Sequence, residues 1–149
     1  MRETNVTIVS TNLNKKILSN YNGYKIIESD FTYEELLRSK KVIFYNVLNN
    51  LEEYEINKLF NYLKSNNVLF INATNDMELS LYTDYLIVYD DKKILIEGNT
   101  LDVLKNEKLL KRIGIHLPFM VELSLLLKDY GLIDNIYLNK ESLVDKLWK

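Results

Sequence analysis

Four short runs in the first half of the chain are apolar with little interruption: NVTIVS (Asn5 to Ser10), YKIIE (Tyr24 to Glu28), KVIFYN (Lys41 to Asn46) and NVLFINAT (Asn67 to Thr74). Continuous apolar runs of this length mark strands covered on both faces, so the pattern predicts a parallel sheet. Between the third and fourth runs, Ile56, Leu59, Phe60 and Leu63 recur at helical spacing within Leu51 to Lys64. That is one apolar face of a crossover helix joining parallel neighbours. FTYEELLRS and a less regular stretch near Leu13 to Tyr21 predict two shorter helices. The segments DYLIVY and KILIEG, joined by Asp90, Asp91 and Lys92, read as an antiparallel hairpin near residues 84–97. Beyond it the pattern is helical. Thr100 suits the N-cap of a short helix through Leu104, and Pro118 the first turn of a longer one to about Tyr130. Gly131 can close that helix in a left-handed conformation. A final helix near Asn139 carries Leu143, Val144, Leu147 and Trp148 as one apolar stripe, which either packs on its own domain or forms a subunit interface. The fold class is therefore α/β, a mostly parallel sheet with flanking helices, one hairpin and a helical C-terminal extension.

Composition narrows the partners. A chain of 149 residues fits one domain able to bury roughly 70% of its unfolded surface. Nineteen Lys and Arg against 21 Asp and Glu leave a formal charge of −2, with no basic field to hold a nucleic-acid backbone. The absence of cysteine excludes disulfides, thiolate nucleophiles and cysteine-based metal sites, in keeping with a reducing cytoplasm. MRETNVTIVS has no apolar stretch of signal-peptide length, and LPFMVELSLLL carries Glu122 and is too short to span a bilayer. A soluble chain without membrane insertion is expected.

Candidate chemistry gathers where the first run ends. Ser10 to Leu18, STNLNKKIL, joins a strand, a loop and a helix start as a phosphate-binding loop does. Lys16 has the spacing of that loop's lysine, and Asn12 lies within it. However, Ser10 and Lys15 occupy the two glycine positions and Ile17 the hydroxyl position. Side chains forced to positive φ cost about 1–2 kcal/mol each, and isoleucine cannot ligate magnesium. Lys16 is then either a solvated helix-start lysine or the remnant of a phosphate site. His116, the one histidine, reads as a solvated loop residue with no carboxylate or second histidine near it in sequence. Glu52, Glu53 and Glu55 favour the N-terminal end of a helix dipole rather than a metal, and no metal site is expected. Asp90 and Asp91 are turn residues, and Tyr21, Tyr24, Tyr33, Tyr45, Tyr54 and Tyr62 scatter as core and rim.

From Lys41 through Gly98 the sequence resembles the second half of the nucleotide-binding domain of ATP-binding cassette transporters. The hairpin keeps the family's register at Asp84, Ile94, Gly98 and Val103, and TNDMELS (Thr74 to Ser80) stands where the family's histidine switch would be. LLKRIGIHLPFMVELSLLLKDYGL (Leu109 to Leu132) and NKESLVDKLWK resemble the C-terminal extension of the cobalt-type and vitamin-type energy-coupling factor ATPases.

The resemblance implies a P-loop-NTPase-like core over 1–105 and a helical extension over 106–149, packed on the core or used for dimerisation. It also implies lost chemistry. Tyr45 and Asn46 stand where relatives place the magnesium-binding aspartate and catalytic glutamate, Asn75 replaces the switch histidine, and Glu52 replaces the turn aspartate. Neither a tyrosine nor an asparagine can serve as the general base at neutral pH. No glutamine occurs anywhere and no glycine lies between Gly23 and Gly98, so the signature and Q-loop motifs are missing. Lys16 to Tyr45 holds one strand and one short helix where the family inserts a β region and helical subdomain. The implied chain is a catalytically inactive, shortened ATPase-like protein with no cofactor, cytoplasmic and peripheral to a membrane transporter. It would act as an interaction or regulatory module. Its partners would be a second copy or an ABC ATPase subunit, met through Phe119, Leu143, Val144, Leu147 and Trp148. The alternative is a weak ATP site at Asn12 and Lys16, with Asn75 near the γ-phosphate.

Overall fold

Val6–Ser10 (β1) is buried at every position, as a strand between two neighbours must be. The computed structural model describes residues 5–148. After β1 come a 3-10 helix (Lys15–Asn20), β2 (Lys25–Ile27), α1 (Tyr33–Ser39), β3 (Lys41–Tyr45), α2 (Glu53–Ser65) and β4 (Leu69–Thr74). A second 3-10 helix (Met77–Tyr82), β5 (Tyr85–Asp90), β6 (Lys93–Asn99), α3 (Thr100–Leu104), α4 (Glu107–Arg112), α5 (Phe119–Asp129) and α6 (Lys140–Leu147) follow. The strands form one sheet in the order β2-β3-β4-β1-β5-β6. Neighbours are parallel except β5 and β6, which are the expected hairpin.

Register fixes which side chains share a face. Phe44, Asn72, Thr7 and Leu86 lie side by side across β3, β4, β1 and β5. On this face α1 and α2 press Leu36, Leu59, Phe60 and Leu63 against Val42, Phe44 and Phe70. Farther along it, Val103, Leu104, Leu110, Leu117 and Val121 of the C-terminal helices and their loops cover Val9, Leu86 and Val88. The opposite face has a thinner cover, with Ile17 and Leu18 of the first 3-10 helix packing on Ile8, Ile43 and Ile71.

Local chemistry sets the helix ends. Glu52 N–H donates to the Glu55 carboxylate at 3.2 Å, so these acids act at the start of α2 as the sequence suggested. The Leu13 to Tyr21 stretch forms only one short 3-10 segment. Its start is tightened by Asn14, whose side chain accepts the Lys16 N–H at 3.0 Å. The cap of α3 is Asn99 rather than Thr100. The Asn99 side chain accepts the Leu101 N–H at 3.1 Å, while the Thr100 hydroxyl donates to the Thr83 carbonyl at 2.7 Å and ties α3 to the start of β5. Pro118 precedes α5, and Gly131 at φ 74° ends it. Gly131 N–H donates to the Lys128 carbonyl and Leu132 N–H to the Leu127 carbonyl, both at 3.0 Å, a complete Schellman motif. Asn139 caps α6 by accepting the Ser142 N–H at 2.8 Å. Of the α6 stripe only Leu143 is buried; Val144 and Leu147 are partly exposed and Trp148 is 85% exposed. Among the described residues no helix is long and apolar enough to cross a membrane.

Burial and a hydrogen bond with Tyr89 hold the Tyr21 hydroxyl protonated well above the ordinary tyrosine range, and burial raises Tyr33 and Tyr82 as well. A raised folded-state pKa means that this contribution is complete below the unfolded value near ~10 and is lost as pH climbs above it. Stability should therefore fall steeply in alkali. Urea unfolding from pH 8 upward checks this, with Tyr21→Phe flattening the decline above pH ~10.

Candidate functional site

The order β2-β3-β4-β1-β5 makes the chain leave β1 toward one edge of the sheet and β4 toward the other. A reversal of this kind opens a crevice at the carboxyl ends of the strands, where ligands of open α/β sheets bind. The loops after β1, β3 and β4 meet there. Asn12 lies in the first loop with Lys16 just after it in the 3-10 helix, Tyr45 ends β3 with Asn46 following, and Thr74 ends β4 with Asn75 following.

β3 runs straight into its site residues because Asn46 stays hydrogen-bonded to the sheet, its N–H donating to the Ala73 carbonyl at 2.8 Å. Its φ of 55° is a left-handed conformation that asparagine tolerates better than most residues. The turn then brings back Asn49, a residue that sequence reasoning passed over. Asn49 Nδ2 donates to Asn46 Oδ1 at 2.9 Å and to Asn75 Oδ1 at 3.1 Å, and Asn49 Oδ1 accepts from the Thr74 hydroxyl at 2.8 Å. Thr74 Oγ1 accepts in turn from the Asp76 N–H at 3.0 Å. One carboxamide thus ties the ends of β3 and β4 together. The only hint in the sequence is the short spacing of Asn46 and Asn49, which places both in one turn.

The loop after β1 closes on itself. Asn12 N–H donates to Ser10 Oγ at 3.2 Å, Asn14 Nδ2 to the Asn12 carbonyl at 3.1 Å, and Ile17 N–H to the Asn14 carbonyl at 3.2 Å. The Tyr45 hydroxyl donates to the Leu13 carbonyl at 3.4 Å, linking this loop to β3. An anion-binding nest needs successive N–H groups made convergent by alternating right- and left-handed residues. Among the described residues, positive φ occurs at Gly23, Lys40, Asn46, Asn67, Asp91, Gly98, Gly114 and Gly131, and none of these lies between Ser10 and Ile17. The N–H groups of Lys16 and Ile17 are already taken by Asn14. Asn12 reaches away toward Asp91 at 3.4 Å, and the Lys16 side chain is solvent-exposed.

Asn46 and Asn75 therefore share one network through Asn49, whereas Tyr45 turns to the loop after β1 and neither Asn12 nor Lys16 is drawn in. A cavity of about 230 Å³ lies between the ends of β1 and β4, lined among others by Ser10, Thr11, Asn75 and His116. His116 is exposed, as expected of a loop histidine. A second cavity, about 530 Å³, lies on the other side of Asn49. Among the described residues no group of three or more His, Asp or Glu side chains is placed to hold a metal ion. The carboxamides and hydroxyls of this network supply neither charge for a cation nor a base for water, while the carboxylates of Asp76 and Glu78 and the imidazole of His116 line the adjoining cavity.

Replacing Asn49 by Ala should cost about 1 kcal/mol, because the hydrogen bonds lost are partly solvated. Hydrogen exchange at the Asn46 and Asp76 amides should rise with it. An unchanged exchange pattern would show that Asn49 does not hold the strand ends.

The residues that the sequence offers for an interface lie elsewhere. Phe119, at the start of α5, is 67% exposed, and its N–H donates to both oxygens of the Glu78 carboxylate at 3.0 and 3.2 Å. This cap crosses from the second 3-10 helix to the extension. Nothing in the local sequence signals it, since the partners are far apart in the chain.

No protein-family model matches the chain. It is 35% identical over 88 residues to the energy-coupling factor transporter ATP-binding protein EcfA1 of Lactobacillus delbrueckii subsp. bulgaricus, a match covering 58% of this chain and 31% of the relative. The EcfA1 protein of Bacillus subtilis is 38% identical over 79 residues, covering 52% and 28% respectively. A putative ABC transporter ATP-binding protein of Pyrococcus horikoshii is 30% identical over 90 residues, covering 60% and 31%. Among solved structures, cbiO1 of Clostridium perfringens, part of the ABC transporter complex cbiONQ, aligns with a TM-score of 0.43 at 22% identity, over 62% of this chain and 38% of that one. Over the matched segment the chain is homologous to ATP-binding proteins of energy-coupling factor transporters. It spans less than a third of the length of these curated relatives.

Proposed function

We propose, starting from this homology to energy-coupling factor ATP-binding proteins, that the chain is a noncatalytic interaction or regulatory module, cytoplasmic and peripheral to a membrane transporter. Residues 1–105 form its ATPase-like core and 106–149 an extension through which it pairs with itself or with an ABC ATPase subunit. The observation that carries the reading is the strand-end crevice, where Asn46, Asn49, Thr74 and Asn75 satisfy one another with neutral groups. Tyr45 is committed to the Leu13 carbonyl. Supporting it, the loop after β1 spends its N–H groups internally instead of converging on an anion. For pairing, the support is the exposure of Phe119 and Trp148 and the partial exposure of Val144 and Leu147. By occupying the pairing surface of an active subunit without supplying a signature motif, such a module would silence it.

A residual nucleotide site is the rival, favoured by the cavity that Ser10 and Asn75 share. Calorimetry with Mg-ATP separates the two. The first reading predicts no heat of binding up to millimolar nucleotide. Micromolar binding that Lys16→Ala abolishes would establish the rival.

A further inference from the structure

We infer that the outward face of α5 is a docking surface for an amphipathic helix of another chain, one whose apolar stripe is edged with Lys or Arg. The inference rests on the reading of this chain as an interaction module and names the chemistry of its partner. α5 has apolar residues on two faces. Val121 and Leu125 point into the core beside buried Ser124, which is fixed by two hydrogen bonds to the Tyr137 backbone. Phe119, Leu123, Leu126 and Tyr130 recur at spacings of four, three and four, which places them on one line facing away from that core. Phe119 is 67%, Leu126 52% and Tyr130 74% exposed, and Leu123 is partly so. This spacing is that of a helix seam awaiting a second helix.

The borders of the stripe select the occupant. Glu122 and Asp129, two turns apart, edge it on one side, both solvent-exposed. Lys111, whose charge also acts on Glu122, is itself paired with Glu107 at 2.7 Å. On the other side Met120 leads into the 530 Å³ cavity, whose wall carries Glu53, Asp76 and Glu78 against the single cation Lys140. A second copy of this chain is a poor fit. Antiparallel self-pairing brings like edges together, setting Glu122 and Asp129 against their own counterparts, and parallel pairing lays them on the Met120 and Leu127 edge with no countercharge. A helix with apolar residues at the same spacing and cations at its flanks meets both the stripe and its borders.

The test uses the intact chain and two synthetic helical peptides with the same leucine stripe, one flanked by lysines and one by glutamates, titrated by calorimetry. Saturable binding of the leucine-lysine peptide alone is expected. Leu126→Ser should weaken it by about tenfold or more, as should the double change Glu122→Lys with Asp129→Lys. All these positions are exposed, so unfolding curves should stay unchanged. Equal binding of both peptides, or binding indifferent to these substitutions, overturns the inference. So does binding lost on Trp148→Ser instead, or self-association of the chain that Leu126→Ser abolishes. Turnover of Mg-ATP would unseat the noncatalytic reading while leaving these peptide results as they are, so the two failures are distinguishable.

Discussion

Phe44→Ala is expected to lower the free energy of unfolding by about 3–5 kcal/mol, the usual cost of emptying a buried phenylalanine site. Phe44 is fully buried on β3, facing Phe31 at a ring separation of 5.3 Å, with α1 and α2 above it. The strands on either side are locked by sheet hydrogen bonds and cannot collapse into the space. With whole-domain stabilities of about 5–15 kcal/mol, a loss of this size leaves little of the fold. The same strand delivers Tyr45 and Asn46, so the crevice should loosen as the core does. Urea unfolding measures the effect, with Ile26→Ala on the half-exposed edge strand β2 as a control expected within about 1 kcal/mol of the parent. A change below about 1 kcal/mol for Phe44→Ala would show that the packing between α2 and the sheet is not what holds the domain.

The second large effect has the opposite sign. Asn72 is fully buried at the centre of β4, and neither its Oδ1 nor its Nδ2 has a hydrogen-bond partner. It lies beside Thr7, whose hydroxyl is committed to that of Thr83 at 2.6 Å. A buried polar group left unpaired costs about 1–3 kcal/mol, and a leucine of similar size in the same place removes that cost. Asn72→Leu should therefore stabilise the chain by about 1–3 kcal/mol, read as a higher urea midpoint with unchanged slope. Destabilisation by Asn72→Leu would mean that the amide is satisfied in solution.

These two residues also show what the sequence could and could not disclose. Phe44 sits in a run of apolar residues, and runs of that kind located β1, β3 and β4 because central parallel strands are buried on both faces. α2 was equally legible, since Ile56, Leu59, Phe60 and Leu63 are all buried as their spacing implied. Asn72 was not: NVLFINAT reads as a strand covered on both faces, but nothing in the run tells that no partner reaches the amide inside it. Residue type made Thr100 a plausible cap, and the structure places the cap one residue earlier, at Asn99. The choice depended on the Thr83 carbonyl, a partner distant in the chain. In the site, Asn46 and Asn75 came together because strand ends in a parallel sheet converge, while Tyr45, one residue earlier and on the other face, turned to the Leu13 carbonyl. Asn49 and Glu78 escaped notice because their work is done across turns and between elements, where no periodicity speaks. Among the stripe residues of α6, spacing alone could not separate buried Leu143 from exposed Trp148.

The noncatalytic reading rests on Asn46, Asn49, Thr74 and Asn75 satisfying one another at the strand ends, with the neighbouring Asp76 and Glu78 carboxylates accepting the Glu78 and Phe119 N–H groups. Phosphate release from Mg-ATP by the purified chain, followed at saturating nucleotide with and without magnesium, probes this most directly. The account predicts no release above the buffer background in either case. Magnesium-dependent turnover that disappears when Tyr45 or Asn46 is changed to alanine would contradict it.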